Sequence, residues 1–204
     1  MNPQVAPPAD ARHPQAAPSG WVRRFAPLIP RPAGGKACVL DVACGGGRHT
    51  RLLLELGHSV VAIDRDVSAL ADLKSHVEAI EADLEDGRPW PLGERRFEGV
   101  VVTNYLYRPL LPAIFAAVDQ GGVLIYETFA RGNERLRRPR NPDFLLKSGE
   151  VLDLVKGAFQ VVAFEQGSVE SPRPAVIQRL CAVKDLAAGG REPPPHPLAP
   201  PAFG

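Results

Sequence analysis

Cysteine is scarce. Cys38, Cys44 and Cys181 are the three in 204 residues. An odd, unevenly spaced set makes no disulfide framework, so reduced thiols and a cytoplasmic setting are expected. An excess of either charge is also lacking. Lys and Arg number 24 against 23 Asp and Glu, a formal net charge of +1, so no global field draws the chain to nucleic acid or to an anionic membrane. A local basic patch stays open. No apolar run approaches the roughly 20 residues that span a bilayer, and Met1-Asn2-Pro3 does not begin a basic-then-apolar leader, so no membrane partner and no cleaved signal are expected. His13, His49, His58, His76 and His196 have no ligand spacing among themselves or with cysteine, which leaves no metal constellation.

What the chain does have is proline at its ends and alternation between them. Eight of its 22 prolines fall in residues 1–32 and six in 193–201. Proline fixes φ and removes a backbone donor. Residues 1–18 and 187–204 therefore read as disordered tails around one domain, 19–186. Within the domain, strand patterns are expected at Ala37–Val42, Ser59–Ile63, Val77–Ala82, Glu98–Thr103, Gly122–Thr128, Phe159–Glu165 and Val176–Val183. Helices are expected at Thr50–Leu56, Val67–Lys74, Pro109–Val118 and Ser148–Lys156, the last capped by Ser148. Alternation of this kind predicts an α/β fold: a mostly parallel seven-stranded sheet with an antiparallel C-terminal strand and helices on both faces.

In an open sheet of this type ligands bind beyond the carboxyl ends of the strands. Those ends carry Asp41–Arg48, Asp64–Asp66, Asp83–Glu85, Thr103–Tyr107 and Glu127–Arg131. Gly45, Gly46 and Gly47 follow the first strand and open a helix. Glycine permits positive φ and close approach of a ligand, and the helix start offers free N–H groups. By itself this is equally a tight turn. Asp64, at the second strand end, is placed to accept from two ribose hydroxyls, and Asp83, at the third, from an adenine amino group. Either acid alone is commonly a cap. The three in succession are a rarer arrangement. A Gly-x-Gly-x-x-Gly dinucleotide fingerprint fails in either register, at Arg48 or at Thr50.

The stretch Val39-Leu-Asp-Val-Ala-Cys-Gly-Gly-Gly-Arg-His49 resembles motif I of class I S-adenosylmethionine-dependent methyltransferases, with Ala43 in place of the first motif glycine. The resemblance runs from about Trp21 to Lys184, and in size and motif I it is similar to the small tellurite-resistance and thiopurine-type enzymes. It implies a Rossmann-like fold and S-adenosyl-L-methionine as cofactor. By the same resemblance, Asp41, Ala43, Cys44, Gly45 and Gly47 hold the methionine part. Asp64 matches the ribose-binding acid and Asp83 and Leu84 the adenine-contacting pair, while Arg65, Thr103 and Asn104 are further candidates for cofactor contact.

The resemblance is silent on the acceptor. Tyr105 and Tyr107 are candidates to close over the sulfonium, and Glu127 to bind an amine or take a proton. His49, beside Arg48 at the start of the helix, is a weaker catalytic candidate. Each has a structural alternative: packing for the tyrosines, an arginine salt bridge for Glu127, capping for His49. Trp21 and Trp90 are candidate pocket walls. Arg131, Arg135, Arg137, Arg138 and Arg140 face only Glu134 and suit a carboxylate or phosphate. A small-molecule acceptor, possibly anionic, is the leading expectation, because the compact chain leaves no room for an added RNA-recognition domain. RNA held by the Arg131–Arg140 insert, or a non-catalytic binding protein, are the alternatives. Either a monomer or a homodimer fits.

Overall fold

A computed structural model describes residues 17–33 and 35–184. The two tails expected at 1–18 and 187–204 lie outside the described residues, Ala17 and Pro18 excepted. Seven strands form one sheet: β1 Cys38–Val42, β2 Ser59–Asp64, β3 Val77–Glu81, β4 Phe97–Thr103, β5 Val118–Phe129, β6 Phe159–Val169 and β7 Ala175–Lys184. Their order is β3-β2-β1-β4-β5-β7-β6. β1 to β5 pair in parallel, and β7 is antiparallel to both β5 and β6. The predicted sheet is therefore the observed one.

The central strands are apolar on both faces because both faces are covered. On one side α1 (Gly20–Phe25) and α2 (Arg48–Glu55) bury Trp21, Phe25, Leu52 and Leu53 against Val39, Val101, Ile125 and Cys181. On the other, α3 (Leu111–Ala116) and α4 (Glu150–Val155) bury Leu111, Ile114, Val151 and Val155 against Leu40, Val100, Leu124 and Tyr126. Removing this apolar area from water on both sides is the main stabilising contribution.

Four expected elements differ in detail. Val67–Lys74 is not α-helical but a 3-10 segment, Ser68–Leu73, because the Asp66 carboxylate accepts the Ser68 N–H and starts the chain in a turn. Pro109–Val118 divides into a 3-10 turn, Arg108–Leu110, and α3, with Pro109 and Pro112 each near the first position of its piece. β5 then begins at Val118, four residues earlier than its apolar run suggested, since Val118 pairs with Phe97. Ser148 does not cap α4. Gly149 at φ +69° does, and the Ser148 hydroxyl bonds the Gln166 side chain instead.

Trp21 is 2% exposed, meets Phe25 edge-on at 4.5 Å and lies under the Arg179 guanidinium at 4.8 Å. Trp21→Ala should destabilise the fold by about 3–5 kcal/mol, the range for deleting a large buried aromatic. A urea unfolding midpoint unchanged from wild type would show that α1 contributes nothing to the core.

Candidate active site

Because β1 to β5 run in parallel, their carboxyl ends lie along one edge. β1 feeds the glycine loop, which is built from backbone rather than side chains. Ala43 (φ +52°), Gly45 (φ +53°) and Gly47 (φ +75°) all occupy the left-handed region. Ala43 thus keeps a glycine-like conformation, at a cost of about 1–2 kcal/mol. The Cys44 N–H donates to Ile63 O at 3.1 Å and the Gly47 N–H to Cys44 O at 3.0 Å, so the loop is sewn to β2 and then turned into α2. Gly47 has a second constraint: a Cβ there would lie 2.2 Å from Leu70 Cδ2.

Asp64 is the residue that joins the first two strand ends. Its Oδ2 accepts the Gly45 N–H at 2.9 Å and its Oδ1 accepts the Asp66 N–H at 3.1 Å. A carboxylate has about four acceptor positions, so two are left for a ligand. Asp83, exposed, accepts the Glu85 N–H at 2.9 Å through Oδ1 and keeps Oδ2. Arg65 is exposed and Leu84 half-buried beside them.

Asp41 lies beneath the loop, 1% exposed. The Thr50 hydroxyl donates to its Oδ2 at 2.6 Å. Burial pushes its carboxyl up to about 7, with the Thr50 hydrogen bonds and Arg48 opposing and Asp64 adding. Cys44 is buried and its thiol is pushed upward for the same reason, so it is no nucleophile here.

His49 has both ring nitrogens engaged. The Ser19 N–H donates to Nε2 at 3.0 Å, so the neutral ring carries its proton on Nδ1 and gives it to Thr103 Oγ1 at 3.2 Å. At 1% exposure, burial and then the nearby Arg48 push it down to about 3. In place of the catalytic part expected for it, His49 ties the N-terminal segment, α2 and the end of β4 together, and it presents no free nitrogen to an acceptor. Thr103 is correspondingly occupied.

The aromatic residues after β4 separate. Asn104 (φ +55°) gives its N–H to Glu127 O at 2.8 Å, so the ends of β4 and β5 are adjacent. The Tyr105 hydroxyl is buried without a hydrogen-bond partner among the described residues, with Glu85 and Asp83 within electrostatic reach. Tyr107 is half-buried beyond it. Trp21 sits within the core and Trp90 partly so, each with its indole N–H buried and unpartnered among the described residues.

Glu127, at the end of β5, is held by a residue whose part the sequence did not suggest. Arg179 of β7 stands opposite it in register, Nη1 to Oε2 at 3.6 Å, and gives its shorter bonds to Glu165. Glu127 also reaches Arg48 electrostatically. The only signal for Arg179 was a polar Gln-Arg pair inside an otherwise apolar strand. Thr50, Ser19 and Leu70 were equally unmarked. A cavity of about 360 Å³ lined by Cys38, Ser59 and His76 opens at the opposite, amino edge of β1–β3, away from this constellation.

Residues 39–122 match a family model described as a methyltransferase domain. Among solved structures, TehB from Haemophilus influenzae superposes with a TM-score of 0.65 at 16% identity, over 84% of this chain and 63% of that one. The 1,6-didemethyltoxoflavin-N1-methyltransferase of Burkholderia thailandensis, with bound S-adenosylhomocysteine, gives 0.58 at 21%, over 81% and 76%. At these identities the likeness is one of fold. A curated relative, ribosomal RNA small subunit methyltransferase H from Anaeromyxobacter sp., is 40% identical over 65 residues, 28% of this chain. The chain spans 21% of that relative's length.

Gly47→Ala should weaken binding of S-adenosylhomocysteine at least about tenfold, because the loop must move away from Leu70 and an alanine at positive φ is strained. Calorimetric titration with unchanged affinity would remove the loop from the site. Asp41 and His49 give stability slopes of opposite sign. Asp41 holds a proton that the unfolded chain has released between 3.8 and about 7, so its contribution falls as pH rises through that window. His49 stays neutral while the unfolded chain takes up a proton between 6.5 and about 3, so its contribution falls as pH drops. In urea denaturation across this range, Asp41→Asn should steepen the rise of stability with pH relative to wild type. An unaltered slope would mean that Asp41 is not buried as described.

Proposed function

We propose that this chain, a member of the class I S-adenosylmethionine-dependent methyltransferases, moves a methyl group from S-adenosylmethionine to a small-molecule acceptor at the ends of β4 and β5. The observation that carries this reading is the Gly45–Asp64 hydrogen bond. It sets a backbone cradle beside a carboxylate with acceptor capacity to spare, one strand away from Asp83.

The donor set fits the cofactor's three parts. Asp64, with Arg65 alongside, would hold the ribose hydroxyls. Asp83 Oδ2 and the Leu84 side chain would hold the adenine edge and face. Ala43, Cys44, Gly45 and Gly47 would hold the methionine part, with the first N–H groups of α2 toward its carboxylate. Asp41 would act from below, fixing Thr50 and with it the start of α2. Thr103 and Asn104 would border the reacting end. When bound, the cofactor supplies a methyl group on a positively charged sulfur.

This chain's residues then have to align an acceptor and exclude water, since in-line displacement needs geometry before it needs a base. Glu127 would serve the acceptor side: it is half-buried, at the strand end next to Asn104, with Arg179 at 3.6 Å and Arg48 within electrostatic reach. It would accept an N–H or O–H hydrogen bond and steer the nucleophilic atom. Tyr107 would wall the same side. His49 holds the frame. The near-neutral net charge supports a small acceptor over a nucleic acid.

Asp64→Asn keeps one oxygen for the Gly45 N–H and loses the charge facing the ribose. It should weaken S-adenosylhomocysteine binding by about 1–3 kcal/mol in a calorimetric titration. Wild-type protein that binds neither S-adenosylmethionine nor S-adenosylhomocysteine would sink the reading as a whole.

A further inference from the structure

The segment that leaves β5 returns to it along the carboxyl edge of the sheet. From Ala130 it runs through a 3-10 turn, Asn133–Arg135, to a bridge between Ala130 and Leu146. Its backbone is pinned from inside. Asn133 is fully buried and its amide donates to Arg137 O at 3.3 Å and to Pro139 O at 3.2 Å, while its Oδ1 accepts the Val176 N–H at 3.2 Å. The Arg131 N–H donates to Leu146 O at 2.9 Å. From the β4 side, Arg108 donates to Asp143 O at 2.6 Å and Leu145 O at 3.0 Å and makes a two-point pair with Glu150. The loop is therefore held in shape at the carboxyl edge, between the residues after β4 and the start of β7.

Four of the arginine side chains on this braced loop point to a further use. Arg131, Arg135, Arg138 and Arg140 are exposed. Among the described residues, none of these four guanidiniums makes an ion pair or a side-chain hydrogen bond. Glu134 is the one carboxylate that reaches Arg131 and Arg135, and its Oε2 already accepts the Gly132 N–H at 2.7 Å. Arginines that serve only solubility are ordinarily interspersed with acids. These four are concentrated in ten residues of a protein whose net charge is +1. Planar guanidinium forks match carboxylate and phosphate oxygens two at a time.

We infer that the 131–140 loop is the docking element for an anionic group on the acceptor, so that the substrate of this site is a small molecule carrying clustered phosphate or carboxylate oxygens. The inference rests on the methyltransferase reading for its substrate, though the loop's affinity for anions is measurable without it. A braced loop costs little ordering on binding, which lets a few charge-assisted hydrogen bonds retain their strength. One such loop on a chain of neutral overall charge falls short of the six or more phosphate contacts, roughly, that nucleic-acid tracking uses.

The test is calorimetric titration of the full chain at low salt with inorganic pyrophosphate, with citrate and with a single-stranded RNA oligonucleotide. It compares wild type with a variant carrying Arg131→Gln, Arg135→Gln, Arg138→Gln and Arg140→Gln. Pyrophosphate or citrate should bind the wild type and lose on the order of tenfold or more in the variant, and whichever anion binds more tightly names the source. S-adenosylhomocysteine affinity should be equal in the two proteins, which also shows that the variant is folded. Equal anion binding by both proteins, or no binding of either anion to the wild type, overturns the inference. So does RNA binding tighter than both anions with a steep salt dependence. Failure of S-adenosylhomocysteine to bind folded wild type would instead sink the methyltransferase reading and leave the anion result to stand alone.

Discussion

The constraint on which the structure depends is that β1 to β5 are parallel and buried on both faces. A parallel pair needs a crossover, and a sheet apolar on both sides needs that crossover to be a covering layer. The chain meets both demands largely with the same residues, the helices and 3-10 segments that return it from the carboxyl ends of β1, β2 and β4, while residues 82–96 return it from β3 without a helix. All the strand-end loops consequently fall on one edge, so Asp41, Asp64, Asp83, Asn104 and Glu127, up to 86 residues apart in sequence, become neighbours along it.

That edge is held by hydrogen bonds of the fold itself. Asp64 accepts from Gly45, Thr50 donates to Asp41, and His49 accepts from Ser19 while donating to Thr103. The last two bonds join segments 30 and 54 residues apart through one neutral imidazole. A residue at the start of the helix after a glycine loop invites a catalytic reading. Here its burial and its two partners give it a structural one. The backbone cradle is shaped before any ligand arrives, which reduces the ordering cost of binding.

The end of β5 is organised differently, by charges in place of backbone. Glu127 stands between Arg179 and Arg48, and Arg179 is shared with Glu165 and stacked on Trp21. Through Trp21 the N-terminal helix is therefore part of the support for Glu127. Beyond it, the Arg108 web and the buried Asn133 brace the loop that carries Arg131, Arg135, Arg138 and Arg140.

The strand run, the sheet type, the glycine loop and the acids that follow the next two strands were legible in the sequence, because a doubly buried strand must be apolar and a turn at positive φ selects glycine. Ala43 was legible only through its neighbours, as its conformation belongs to the loop and not to alanine. Helix lengths were not legible: Val67–Lys74 and Pro109–Val118 have helical periodicity, but an Asx turn and two prolines cut them short. Nor were the parts played by His49 and Arg179. Which nitrogen is occupied and which carboxylate a guanidinium meets are set by residues dozens of positions away, and only the packed sheet brings those within hydrogen-bonding reach.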